Sequence, residues 1–236
     1  MVLGLAGITK PPLTLTSPIR HFSKPTPTPV SEYRLEGYFV STPELTAAFN
    51  SGDVDLLDKV REDENELLSD MNSRTEGDVS EHLQDPIIGT PSSDPAYQAA
   101  YSFGVWAITE AVAETQPRDP IIGYPFLDLY EVCETLRTTP YTRLTQFFEA
   151  INGERPHAFP YQLPGGWYDL PGIGYIDAEE INKYAGEATR MRADFNRDEE
   201  WTLDIEEPED IVQVLDWIEE AKQLKMSLAV FMDGDL

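Results

Sequence analysis

Cysteine is almost missing from this chain: Cys133 stands alone in 236 residues. That excludes an internal disulfide and any thiolate metal cluster, and it fits a reducing compartment. Histidine is scarce too. With only His21, His82 and His157, few groups titrate near neutral pH. No GxSxG, GxxxxGKS/T or HExxH pattern occurs, and no GxGxxG follows a strand, so the usual nucleophile, phosphate-loop and zinc-protease signatures are absent. Long apolar runs are lacking as well: none approaches the roughly 18 to 20 residues of a membrane span. The opening MVLGLAGITKPP has no basic n-region before Pro11 and Pro12 interrupt it. A soluble, cytoplasmic protein without a signal peptide or membrane span is the expectation.

Positive charge is the remaining shortage. Seventeen basic side chains face 43 acidic ones, a formal −26, which disfavours direct nucleic-acid binding through a basic surface. The imbalance is uneven. Residues 1–31 hold Lys10, Arg20 and Lys24 and no acid, leaving 14 basic groups against all 43 acids in the remainder, or −29.

What is present reads as two parts. Residues 1–31 carry prolines at 11, 12, 18, 25, 27 and 29; lacking amide donors, they predict an extended, polyproline-like N-terminal arm. Ordering costs about 1–2 kcal/mol per residue, so an ordered arm must bury Leu13, Leu15, Ile19 and Phe22 on a partner or a second copy. Residues 32–236 read as a single acidic α+β domain, helix-dominated, with a small sheet.

The domain is organised around its C-terminal end. Ile211, Val214, Leu215, Ile218, Ala221 and Leu224 recur at helical spacing and predict one buried stripe. Pro208 suits the first turn. Glu209 and Asp210 complement the positive end of the helix, and Lys222 and Lys225 its negative end. Met226 to Met232 (MSLAVFM) follows as a strand apolar on both faces, which places it inside a sheet. Tyr33 to Val40 (YRLEGYFV) is a second strand, and pairing the two would join the ends of the domain.

Between these ends the punctuation is regular. Thr42, Pro43 and Glu44 open a helix that Gly52 closes, and a second helix is read over 53–71. The phrase DPIIG occurs at 85–89 and again at 119–123. Nothing else matches between the two frames, so each is read as a local turn that tucks two isoleucines inward. Residues 95–114 are apolar nearly all round and predict a central buried helix whose tyrosines and tryptophan need hydrogen-bond partners. Helices over 126–137 and 141–151 come next. Asp177 with Glu180 resembles a capping box for another, with Ile181, Tyr184, Ala188 and Met191 inward.

Candidate binding residues gather in 153–176, where four prolines and five glycines interrupt an aromatic segment; long irregular stretches of this kind are often functional. His157, Tyr161, Trp167, Tyr168 and Asp169 are its chemistry-bearing members. Asp194, Asn196 and Asp198 have calcium-loop spacing. However, Glu199 stands where that loop needs glycine, and Ile205 where it needs a bidentate glutamate. No catalytic residue, metal ligand or cofactor is assigned.

Several phrases also occur in a recognisable order: YFV, SGDVDLLDKVRED, an aromatic and alanine-rich helix, LPGIGYIDAEEI, and a terminal helix-strand ending LAVF. Together, over about residues 32–232, they resemble a bacterial family known only as a domain of unknown function, distantly similar to the YfbM-like proteins. The resemblance implies an α+β domain and supplies no catalytic residue. The function expected is a non-catalytic acidic binding protein, an accessory subunit that meets a basic partner protein. Two alternatives are an immunity or nucleic-acid-mimic inhibitor, and a hydrolase or transferase using the 153–176 loop with His157 as base and Asp169 or Glu154 orienting it.

Overall fold

Alternation in YRLEGYFV sends Leu35, Gly37 and Phe39 to one side and Glu36, Tyr38 and Val40 to the other, and both sides are buried. A strand with two buried faces needs cover on each. In a computed structural model of the chain, the described residues are 33–63, 82, 84–89, 91–115, 121–123, 129–152, 158–164, 172–195, 197 and 208–234. They form a four-stranded antiparallel sheet with helices packed on both faces. The elements are β1 (Tyr33–Val40), α1 (Thr42–Ala48), α2 (Val54–Asp63), α3 (Gln84–Ile88), a 3-10 turn (Pro95–Tyr97), α4 (Gln98–Val112) and β2 (Ile121–Gly123). After them come α5 (Leu129–Arg137), α6 (Thr142–Ile151), β3 (Gly172–Ile176), α7 (Ala178–Phe195), α8 (Pro208–Leu224) and β4 (Ser227–Gly234).

The strand order is β2-β1-β4-β3. β1 and β4 are paired along their whole lengths, Tyr33 opposite Gly234 through Val40 opposite Ser227. The predicted meeting of the domain's first and last strands is therefore the centre of the sheet. β3 pairs with the other edge of β4, which explains the apolar character of β4 on both faces.

Register decides how each face is covered. Gly37 and Gly174 both lie opposite Val230, so one row across the sheet reads Gly37, Val230, Gly174. This row has side chain only in its middle strand, and two elements press into the space. Trp217 of α8 lies against Gly37, where an added Cβ would be 2.9 Å from the ring. The end of α6 comes closer: a Cβ on Gly174 would sit 2.4 Å from the Ile151 Cα and 2.6 Å from the Ala150 carbonyl oxygen. Around this contact α5 to α8 build a core including Phe147, Phe148, Met191, Leu215 and Trp217. One charge is buried beside it. Glu187 of α7 turns its Oε2 to the first amides of α6, accepting from Arg143 N at 2.8 Å and Leu144 N at 3.2 Å, where the helix has orphan donors and positive potential.

The opposite face is aromatic and partly polar. Phe231 of β4 stacks on Trp106 of α4 with centroids 5.3 Å apart, and meets Tyr38 and Phe159 edge-on. Helices α1 to α4 and residues 158–164 supply this layer. Nearly every side of α4 is buried, as its composition predicts. Trp106 Nε1 donates to the Tyr38 hydroxyl at 2.9 Å, and that hydroxyl contacts the carboxylates of Glu36 and, at 3.1 Å, Glu110. Burial first, and the two glutamates second, push the Tyr38 phenol far above its ordinary value.

Helix α8 ends where its lysines indicated. Lys225 takes a left-handed φ of 58°, Met226 N reaches back to Ala221 O at 2.9 Å and Lys225 N to Lys222 O at 3.3 Å, which is a Schellman closure. Asp177 caps α7, its Oδ1 accepting from Glu179 N at 2.8 Å.

Two local expectations are corrected. The irregular stretch read over 153–176 ends in a strand, because GIGYI alternates Ile173 and Tyr175 toward the aromatic face with Gly174 and Ile176 toward the other. The two DPIIG phrases also differ: the first is α3 closed by Gly89 at φ 81°, whereas Ile121–Gly123 of the second is β2, paired with Leu35 to Tyr33. The predicted arm 1–31, the loop 72–78 and much of the 53–71 helix lie outside the described residues. All that is described falls within the unit Ser31–Leu236, and none of the described helices is long and apolar enough to cross a membrane.

Candidate functional site

Of the binding residues expected from sequence, Leu13, Leu15, Ile19, Phe22, His157, Trp167, Tyr168 and Asp169 lie outside the described residues. Tyr161 is described, and it is core. Its ring is 8% exposed and stacks on Phe49 at 4.2 Å with planes 13° apart. Burial, then the nearby Tyr101 and Asp85, raise its hydroxyl to about 12. Of the calcium-spaced trio only Asp194 is described, and its carboxylate is taken by the Tyr141 hydroxyl and by Arg197. Among the described residues no group of three or more His, Cys, Asp or Glu side chains could hold a metal. Cys133 is buried on α5, its thiol 3.9 Å from the Thr145 carbonyl oxygen.

Side chains able to do chemistry instead converge beside the outer end of α4, around the first DPIIG phrase. Short α3 is fixed by backbone bonds to the turn after α1: Asn50 N to Pro86 O and Gly52 N to Ile87 O, each 2.9 Å. Ile87 is fully buried, so α3 cannot rotate without losing its anchor. That geometry leaves Asp85 at the head of α3, half-buried, with His82 three residues earlier. The Asp85 Oδ2 accepts from the Tyr101 hydroxyl of α4 at 3.1 Å and contacts His82 Nδ1 at 3.3 Å. Facing a carboxylate, Nδ1 is the donor, which selects the tautomer of a neutral ring.

Aromatic rings fix the imidazole from the side. Tyr97 lies 4.4 Å from it, centroid to centroid, and Tyr101 meets it edge-on at 5.9 Å. The Tyr101 hydroxyl also accepts from Ser92 N at 3.0 Å. Its proton is held more tightly than in free tyrosine because it is buried and faces Asp85, with the Ser92 amide opposing the shift. Arg61, carried by α2 whose Leu57 and Val60 pack into the aromatic core, completes the group. Arg61, His82, Gln84 and Asp85 line an open cleft of about 500 Å³, within the range of small-ligand sites.

From sequence alone His157, in the irregular 153–176 segment, is favoured over His82. The available signal was local: in HLQD, His82 and Asp85 stand three apart, and on a helix such residues are neighbours. Arg61 has no such signal, since α2 and α3 are brought together by packing on α4 and by the bonds of α3 to the 50–52 turn.

A second polar cluster lies at the far end of the sheet. Thr42 Oγ1 is 2.6 Å from the Tyr175 hydroxyl and 2.7 Å from Ser227 Oγ, and donates to Asp177 Oδ2 at 3.3 Å. Ser227 Oγ in turn accepts from Ala178 N at 3.0 Å. These bonds tie the starts of α1 and α7 to β4.

Taken together, a sheet covered on both faces by helices, with an open cleft beside α4, defines a helix-dominated α+β domain. Residues 32–233 match the family model described as "Domain of unknown function (DUF7691)", and the chain belongs to that family. No match is found among curated proteins or among solved structures.

Proposed function

We propose that the chain is a non-catalytic acidic binding protein, an accessory subunit that docks a partner with a basic surface. The observation that carries this reading is the charge of residues 32–236: 14 basic groups against 43 acids. The placement of carboxylates supports it. Among the described residues whose exposure is defined, only Glu36 and Glu187 are buried carboxylates, and both make contacts within the fold. Exposed acids such as Glu44, Asp58 and Glu62 would steer a cationic partner over distances of about a Debye length, 8–10 Å. In this reading the protein is bacterial and cytoplasmic, distantly similar to the YfbM-like proteins, and the arm 1–31 adds apolar contact through Leu13, Leu15, Ile19 and Phe22.

The test immobilises the full chain and a version lacking 1–31, captures partners at about 0.05 M salt, and elutes in steps toward about 0.5 M. A basic protein that elutes as salt rises, and is held less well without the arm, is the expected result. Retention indifferent to salt, or no partner at all, overturns the reading. If DNA competes for the captured partner, the acidic body acts as a nucleic-acid mimic.

A further inference from the structure

Beside α4, the open cleft combines features that the proposed docking role does not use. Its residues divide into committed and uncommitted groups. Asp85, the carboxylate among the described residues that line it, is taken on Oδ2 by the Tyr101 hydroxyl and the His82 imidazole. The guanidinium of Arg61 and the amide of Gln84 have no hydrogen-bond or ion-pair partner among the described residues. Arg61 and Asp85 therefore line one cleft without forming an ion pair. The carboxylate is turned to His82 and to Tyr101 of α4, and among the described residues nothing is bonded to the guanidinium.

We propose that this cleft is a binding site for a small oxyanion, a ligand presenting a carboxylate or phosphate group to the Arg61 fork, with Gln84 as a neutral donor and the Asp85-held ring of His82 as a wall. The chemistry follows from the donor set. Five guanidinium N–H bonds and an amide NH2, without partners among the described residues, are donors, so the matching ligand must accept, and planar or tetrahedral oxyanions accept from arginine in bidentate fashion. The walls are preorganised: α3 is bonded to the 50–52 turn, and His82 is held by one carboxylate and two tyrosine rings. The net charge of the chain opposes an anion, but at physiological salt charges beyond about 8 Å are largely screened. Contacts at hydrogen-bond distance therefore decide the outcome. The proposal goes beyond the docking role and is independent of it, because it needs a ligand of the opposite sign at a different set of residues.

The experiment titrates the full chain by calorimetry with inorganic phosphate and, separately, with acetate, holding ionic strength constant with chloride. Saturable binding of at least one of them with a Kd on the order of 1 mM or tighter is expected; which one saturates tells phosphate from carboxylate. Arg61→Gln should weaken that binding at least tenfold and Gln84→Ala severalfold. Both side chains are exposed, so the variants should melt with the wild type, which a thermal scan checks. Absence of saturation with both anions, or an Arg61→Gln variant that binds like the parent, overturns the proposal.

Discussion

The two faces of the sheet solve the same problem with different materials. Toward α5 to α8, aliphatic and aromatic groups close on a row emptied of side chains, Gly37 and Gly174 flanking Val230. Toward α1 to α4, the sheet offers Glu36 and Tyr38 and is met by Trp106 and Glu110. The first face depends on shape and the second on shape plus hydrogen bonding. Substitutions should therefore fail in distinguishable ways, by steric overlap on one side and by loss of polar partners on the other.

The largest effect is expected from Gly174→Ala. Its Cβ would meet backbone atoms of α6, which cannot rotate away, so a loss of about 4 kcal/mol is expected in urea denaturation followed by tryptophan fluorescence. At Gly37 the obstacle is the Trp217 ring, which can slide, and the matching substitution should cost only about 1–2 kcal/mol. Equal costs at the two positions would break the account of the row.

Tyr38→Phe probes the other face. It removes the acceptor of the Trp106 N–H and a donor to two glutamates, for about 1–3 kcal/mol. It should also change the alkaline limb. A phenol whose folded pKa is raised keeps its proton when the unfolded chain, near 10, has lost it; the unfolded state then binds fewer protons and stability falls as pH rises. Tyr141 and Tyr161, each raised to about 12 by burial first, add to this fall between pH 10 and 12. Stability measured from pH 9 to 12 should decline in the wild type, and less steeply in Tyr38→Phe, by up to ~1.4 kcal/mol per pH unit. Parallel curves would remove Tyr38 from the titration.

The smallest effect sharpens the contrast, because Glu187 is the buried charge of the shape-driven face. Glu187→Ala should cost about 1 kcal/mol by uncapping α6, seen as faster hydrogen exchange at the Arg143 and Leu144 amides.

How much of this was legible depended on where the information lay. β1 was readable to the residue, because period-two alternation and two apolar faces are properties of eight consecutive positions. The α8–β4 unit was readable for the same local reasons, although Trp217 fell outside the predicted stripe and Leu224 is 40% exposed. β3 was not: its glycines and neighbouring prolines indicate a loop, and only the register against Val230 shows why glycine is required there. The DPIIG pair makes the limit plain. The same five residues close a helix at 85–89 and contribute a strand at 121–123, so tertiary pairing overrides local preference. The His82–Asp85 pair could be suspected from spacing. The cleft could not, since Arg61 joins it through helices packed on α4.

Strand order also bears on how the protein is made. β4 lies between β1 and β3, yet it is translated after both. Until its residues leave the ribosome, β1 and β3 have no common neighbour, and the helices meant for either side have only part of a surface to rest on. Closing contacts between positions almost 200 residues apart is slow, because so much intervening chain must be ordered first. The growing polypeptide is thus without the middle of its sheet until the last strand is made.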